Sequence, residues 1–132
     1  MRAADTNLLV RYIINDDQKQ ADAVERFFED CRASGEPVFI PVLVVCELLW
    51  VLERVYGQAK PELIAALEKM ADAAFFQFEQ EAVIRRCLEH YRSGKASFAD
   101  YVIGEISREA GCRDTVTFDR ALKGAPGFTL LS

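Results

Sequence analysis

Histidine is nearly absent from this chain, with one in 132 residues, and cysteine is sparse, with four. A single histidine leaves no zinc set to assemble. His90, between Glu89 and Tyr91 on a segment of helical spacing, reads as a surface residue. Cys31, Cys46, Cys87 and Cys112 are widely scattered with no C-x-x-C among them, so they read as buried free thiols. There is no G-x-x-x-x-G-K-[ST] or G-x-G-x-x-G loop to cradle phosphates, and no G-x-S-x-G elbow. No Ser or Cys has an evident His partner, and no basic stretch interleaved with aromatics offers a nucleic-acid platform. The longest apolar stretch, Phe39–Val51, is interrupted by Glu47 and is too short to span a bilayer. No positively charged segment leads into an apolar run at the N-terminus, so no signal peptide is expected. A cytoplasmic protein without membrane association fits these absences.

What is present supports a packed core. With 51% hydrophobic and 28% charged residues, residues 1–132 read as one domain. The formal net charge of −5 argues against a phosphate-rich partner, but the charge is unevenly distributed. Residues 1–83 hold 8 basic and 15 acidic side chains, whereas residues 84–132 hold 8 basic and 6 acidic. Acids that bind a divalent cation also cease to repel phosphate, so net charge does not decide the partner.

Along the chain, short apolar runs alternate with amphipathic segments. A first strand reaches Asp5, and the chain turns into a helix at Thr6 or Asn7 that runs to Ile14. Ala21, Val24, Phe27, Phe28 and Cys31 recur at helical spacing, and Val38–Ile40 follows as a buried strand. Pro41 and Pro61 stand at helix starts, the first opening a very apolar helix to Tyr56. Residues 74–78 read as a third strand, Glu79–Tyr91 and Phe98–Ala110 as helices, and Thr115–Phe118 as a fourth strand. A single helical turn over Asp119–Lys123 precedes a last strand at Phe128–Leu131. This alternation predicts an α/β domain with a mainly parallel sheet.

Four acids stand out. Asp5 closes the first strand, where ligands of parallel sheets gather, although Asp5 or Thr6 would equally cap the first helix. Glu47 is the only charge between Val42 and Leu52, with Leu43, Val44, Trp50 and Val51 as helical neighbours. A carboxylate stranded on such a face, if buried, needs a partner, a proton or a metal, and its plain alternative is a rim position that reaches solvent. Asp100 completes a capping-box form with Ser97, which accounts for it structurally. Asp119 repeats the strand–acid–helix arrangement of Asp5. Convergent carboxylates repel one another unless a cation joins them, and oxygen-only ligands favour Mg²⁺ or Mn²⁺.

The chain resembles the PIN domains, and among them the VapC-like toxin ribonucleases. The resemblance rests on D-T-N-L-L at Asp5–Leu9, P-V-L-V-V-C-E-L-L-W-V-L around Glu47, F-A-D-Y-V-I at Phe98–Ile103 and T-F-D-R-A-L at Thr117–Leu122. It implies a three-layer α/β/α fold with strand order 3-2-1-4-5 and a metal-dependent endoribonuclease paired with an antitoxin. It also implies that Asp5, Glu47, Asp100 and Asp119 form the metal cluster, with Thr6 and Thr117 as polar supports. In such nucleases water attacks phosphorus in line, leaving a 5′-phosphate and a 3′-hydroxyl. Arg113, Arg120 and Lys123 are then candidates to contact the RNA backbone, and solvated surface is their plain alternative. The surplus of apolar residues at Trp50, Val51, Val55 and Tyr56 fits an interface, as in a homodimer, or burial in the domain's own core.

Two other functions compete. A catalytically silent PIN-like module would bind RNA or protein without cleaving. A receiver-like phosphotransfer domain would need adjacent acids after the first strand and an acceptor Asp after the third. Here the first strand offers one acid and the third is followed by Glu79 and Glu81.

Overall fold

The computed structural model describes residues Met1–Ser132 and divides into two compact units, Met1–Glu81 and Ala82–Ser132. The boundary falls where the charge balance changes sign: the first unit holds the 15 acids and 8 bases, the second the 6 acids and 8 bases.

The first unit alternates strands β1 (Arg2–Ala3), β2 (Val38–Ile40) and β3 (Phe76–Phe78) with helices α1 (Thr6–Ile13), α2 (Gln18–Ser34), α3 (Val42–Arg54) and α4 (Lys60–Asp72). The strands pair in parallel in the order β1-β2-β3, with Arg2 opposite Val38 and Val38 opposite Phe76. Alternation along β3 buries Phe76 and Phe78 and exposes Gln77. Caps set the helix limits. Asp5 accepts from the Leu8 amide at 3.1 Å to start α1, and Asp17 accepts from Gln20 at 3.1 Å to start α2. Gly35, at φ +69°, ends α2 in the left-handed conformation that lets the Gly35 and Glu36 amides reach back to Arg32 and Cys31.

Val24, Phe28 and Cys31 form the buried stripe of α2, and the Phe28 ring meets Tyr12, Phe75 and Phe76 edge-on at 5.0, 5.3 and 5.6 Å. Arg32 lies over the Phe75 ring at 4.9 Å. Truncating such a central ring costs about 3–5 kcal/mol. On α3 the buried stripe is Val45, Leu48, Leu49 and Leu52.

The second unit runs α5 (Glu81–Ser93), α6 (Phe98–Glu109), β4 (Thr115–Thr117), a 3-10 turn (Arg120–Leu122) and β5 (Phe128–Leu130). Strand β4 pairs in parallel with β5, Thr115 opposite Phe128. Val83, Ile84, Cys87, Leu88 and Tyr91 face inward from α5. Tyr91 meets Phe98 edge-on at 5.8 Å. Gly104 of α6 admits the Phe128 ring, because a Cβ there would lie 2.7 Å from two of its carbons.

Every strand pairing is parallel and six helices connect the strands, so the α/β class holds; in place of one sheet in the order 3-2-1-4-5, the strands form two, β3-β2-β1 and β4-β5. The cysteines need correction. All four are free and Cys31 and Cys87 are buried, but Cys46 is half-buried and Cys112 is exposed, on the short link after α6.

Candidate functional site

Asp5 and Glu47 line one cavity of about 260 Å³ together with Thr6, Asn7, Leu43, Val44 and Val51. Asp5 leaves β1 and caps α1; Glu47 projects from the second turn of α3, a helix packed against α1. Thr6, the first residue of α1, is buried at 8% exposure. Asp5 spends Oδ1 on the Leu8 amide, and Oδ2 is left without a partner.

Glu47 takes the solvent-reaching alternative rather than the buried one. It is exposed, and so are Leu43 at 75% and Trp50 at 59%. The reason is geometric. Helix α3 is apolar all round, and the stripe it buries is the opposite one, through Val45, Leu48 and Leu52. Glu47 therefore escapes the desolvation cost of a stranded acid, and it has neither a hydrogen bond nor a cation partner.

In the second unit Asp100 sits at the third position of α6. Its Oδ2 accepts from the Ser97 amide at 3.1 Å and the Ser97 hydroxyl at 2.8 Å, while Ser97 Oγ accepts from the Asp100 amide at 3.3 Å. The capping box is complete with Asp in place of the usual Glu or Gln. Asp119 follows β4 and caps the 3-10 turn, its Oδ1 accepting from Ala121 at 2.9 Å. The Asp119 amide donates to Thr117 Oγ1 at 3.0 Å, so Thr117 orders the backbone of the acid beside it. Arg113, Arg120 and Lys123 are exposed.

Nowhere are three or more His, Cys, Asp or Glu side chains gathered closely enough to hold a metal ion. In the first unit, the cavity beside Asp5 and Glu47 offers carboxylate oxygens: Asp5 commits one to its cap and keeps the other, and Glu47 keeps both. In the second unit, Asp100 and Asp119 each commit one oxygen to a cap and keep the other. Carboxylate oxygens without a counter-charge suit a hard divalent ion such as Mg²⁺ or Mn²⁺.

Glu105 carries the polar cluster that the sequence reading did not single out. It is 8% exposed, and its Oε2 accepts from Arg86 Nε at 2.9 Å and Arg108 at 3.0 Å. His90 Nε2 lies 3.1 Å from Oε1, and the His90 ring stacks on Tyr101 at 5.8 Å. His90 is thus a half-buried partner of Glu105 rather than a plain surface residue. Burial pushes the Glu105 carboxyl up, but the bonds from Arg86, Arg108 and His90 outweigh it and hold the group below the usual carboxylate range. These side chains line a separate cavity of about 320 Å³ with Gly104, Pro126, Gly127 and Phe128. The signal was available: Phe98, Tyr101, Val102 and Glu105 fall at helical spacing on the buried face of α6.

Acids at the carboxyl ends of parallel strands define an α/β protein of the kind that binds its ligand at that sheet edge. The PIN-domain family model matches residues 3–127, and the chain belongs to that family. A VapC ribonuclease of Aquifex aeolicus (strain VF5) is 26% identical over 123 residues, covering 93% of this chain and 90% of the relative. The crystal structure of Mycobacterium tuberculosis VapC20, described as a sarcin–ricin-loop-cleaving toxin, aligns at 19% identity and a TM-score of 0.44 over 96% of each chain. The chain has the PIN fold, and no helix is long and apolar enough to cross a membrane.

Proposed function

We propose that this protein is a Mg²⁺- or Mn²⁺-dependent endoribonuclease, the toxin of a VapBC-type toxin–antitoxin pair. One observation carries the reading: Asp5 and Glu47 line a single cavity in a chain that the PIN family matches over residues 3–127. The similarity to a named VapC ribonuclease over nearly the whole chain supports RNA as substrate. The same match across both compact units supports a single nuclease domain over residues 1–132.

The metal ligands in this reading are Asp5, Glu47, Asp100 and Asp119, with Thr6 and Thr117 as supports. These carboxylates would hold a divalent cation, which when bound would supply activation of water and neutralisation of charge on the phosphodiester. The caps at Asp5, Asp100 and Asp119 hold each carboxylate by one oxygen, so a ligand position is fixed before the cation arrives. Arg113, Arg120 and Lys123 are assigned to the RNA backbone, where exposed cations attract phosphate. A cognate antitoxin is the protein partner. A homodimer is also part of the reading, supported by the exposed Leu43, Trp50 and Val55 along α3, and the cytoplasm is its location.

The test is cleavage of RNA with Mg²⁺ or Mn²⁺, with and without EDTA, by the parent protein and Asp5→Asn. Asparagine retains a side-chain oxygen for the Leu8 amide, so the variant keeps its helix cap and its fold. It should lose more than the about 10–100-fold that removing an outer partner of a metal ligand costs. Products should carry 5′-phosphates. Cleavage unaffected by EDTA, or equal in Asp5→Asn and parent, would refute the assignment.

A further inference from the structure

We propose that Glu79 is a positioning residue for the nuclease site, acting through Glu47. Helix α3 has no cap of its own. Its N-cap residue is Pro41, which has no side-chain acceptor, and the Val42 amide is one of the donors that a helix start leaves unsatisfied. Glu79, 37 residues further on, supplies the acceptor: its Oε1 takes the Val42 amide at 2.8 Å.

Backbone geometry brings it there. Strands β2 and β3 pair in parallel with Ile40 opposite Phe78, and the Glu79 amide continues the ladder by donating to the Ile40 carbonyl at 2.9 Å. The Ala4 amide donates to Phe39 at 3.0 Å on the other side of β2. Continued past the strand ends, two steps beyond Ala3 and one beyond Ile40 and Phe78, the register puts Asp5, Pro41 and Glu79 in one row at the carboxyl edge of the first unit's sheet. Glu79 is a third acid at that edge beside Asp5 and Glu47. Its Oε1 is committed to α3, which makes it a holder of the helix.

Glu47 needs such a holder. The aspartates of the site are tied to the backbone by their own caps, whereas Glu47 makes no hydrogen bond and is located only by the helix it rides on. Glu47 lies less than two turns from Pro41, so fraying of the first turn reaches it directly. A carboxylate at this end also opposes the positive pole of the helix, an effect that a neutral acceptor keeps only in part.

The inference rests on the reading of Glu47 as a metal ligand, and the experiment separates the two. Mn²⁺ binding is measured by calorimetry on the full chain for the parent, Glu79→Ala, Glu79→Gln, Glu47→Gln and the double variant Glu79→Ala/Glu47→Gln. Hydrogen exchange at the Val42 amide is followed in parallel. Glu79→Ala should expose that amide and weaken Mn²⁺ binding by about fivefold, the size of one lost helix cap. Glu79→Gln, which keeps an acceptor, should restore most of both. In the Glu47→Gln background Glu79→Ala should cause no further loss of affinity, an absence that a generally loosened fold would not produce. Full Mn²⁺ affinity or unchanged exchange in Glu79→Ala, or additive losses in the double variant, overturns the proposal. An unchanged affinity in Glu47→Gln overturns the ligand reading itself, and the positioning role with it.

Discussion

Gly104→Ala gives a sharp test of packing in the second unit. A Cβ at Gly104 would lie 2.7 Å from Cε2 and from Cζ of Phe128, whereas ordinary contact begins near 3.4 Å. Two effects of opposite sign compete. Replacing glycine by alanine within a helix favours folding by about 1 kcal/mol. Forcing a methyl group into a filled space costs about 1–3 kcal/mol. The overlap is with two ring atoms at once, and Phe128 is tied by its backbone into β5 opposite Thr115, so the ring must turn or the strand must shift. The steric cost should win, leaving Gly104→Ala about 1 kcal/mol less stable and lowering its melting temperature by ~3–5 °C. Urea or thermal melts of Gly104→Ala, Phe128→Leu and the double variant decide the matter. With the ring gone, Gly104→Ala should become neutral or stabilising, a coupling of about 1–2 kcal/mol across the cycle. If Gly104→Ala stabilises the parent by the helix term alone and the two changes add, Phe128 does not occupy that space.

Two further outcomes follow from the second unit and the thiols. Because Glu105 is held below its ordinary value, its ion cluster contributes stability above the unfolded carboxyl range of about 4.3 and loses it as pH falls through the lowered value. Melts between pH 7 and pH 3 should therefore show an acid-side loss in the parent that Glu105→Gln flattens. A chromogenic disulfide reagent should label one thiol of the native protein rapidly, Cys112, a phase that Cys112→Ser removes. Cys46 should react slowly, since burial pushes its thiol up, and Cys31 and Cys87 only on unfolding.

Much of the fold was legible because local signals agreed with one another. Pro41 and the Ser34–Pro37 break bracket β2 as expected, Pro61 falls within the first turn of α4, and Ser97 and Asp119 begin helical segments where their side chains promised. The site was less legible, and the fault lies in one physical inference. A lone acid among apolar helical neighbours, as at Glu47, suggests burial or a solvent-reaching rim without choosing between them, because a helix apolar on all sides does not declare which stripe it buries. The same inference applied to α6, whose polar face is well marked, points to Glu105, the acid that is buried and answered by Arg86 and Arg108. Glu79 carries no local signal, since its meaning lies in a bond to an amide 37 residues away.

Helix capping and cation binding ask different things of an aspartate, and at Asp5, Asp100 and Asp119 both can be met at once. A cap uses one oxygen and limits the rotation of the side chain; a hard cation needs an oxygen whose position is already settled. Placing the acid at a helix start meets the first demand and leaves an oxygen for the second, without a cation from the protein that would have to be displaced. The cap that Asp5 makes with the Leu8 amide is therefore compatible with the ligand's role proposed for it. Glu47 cannot use this device, because a residue in the second turn of a helix has no free amide within reach. Its freedom is limited by the firmness of α3 alone. That helix starts at a proline and borrows its first acceptor from Glu79, so the acid with the loosest side chain depends on a contact from a distant part of the chain.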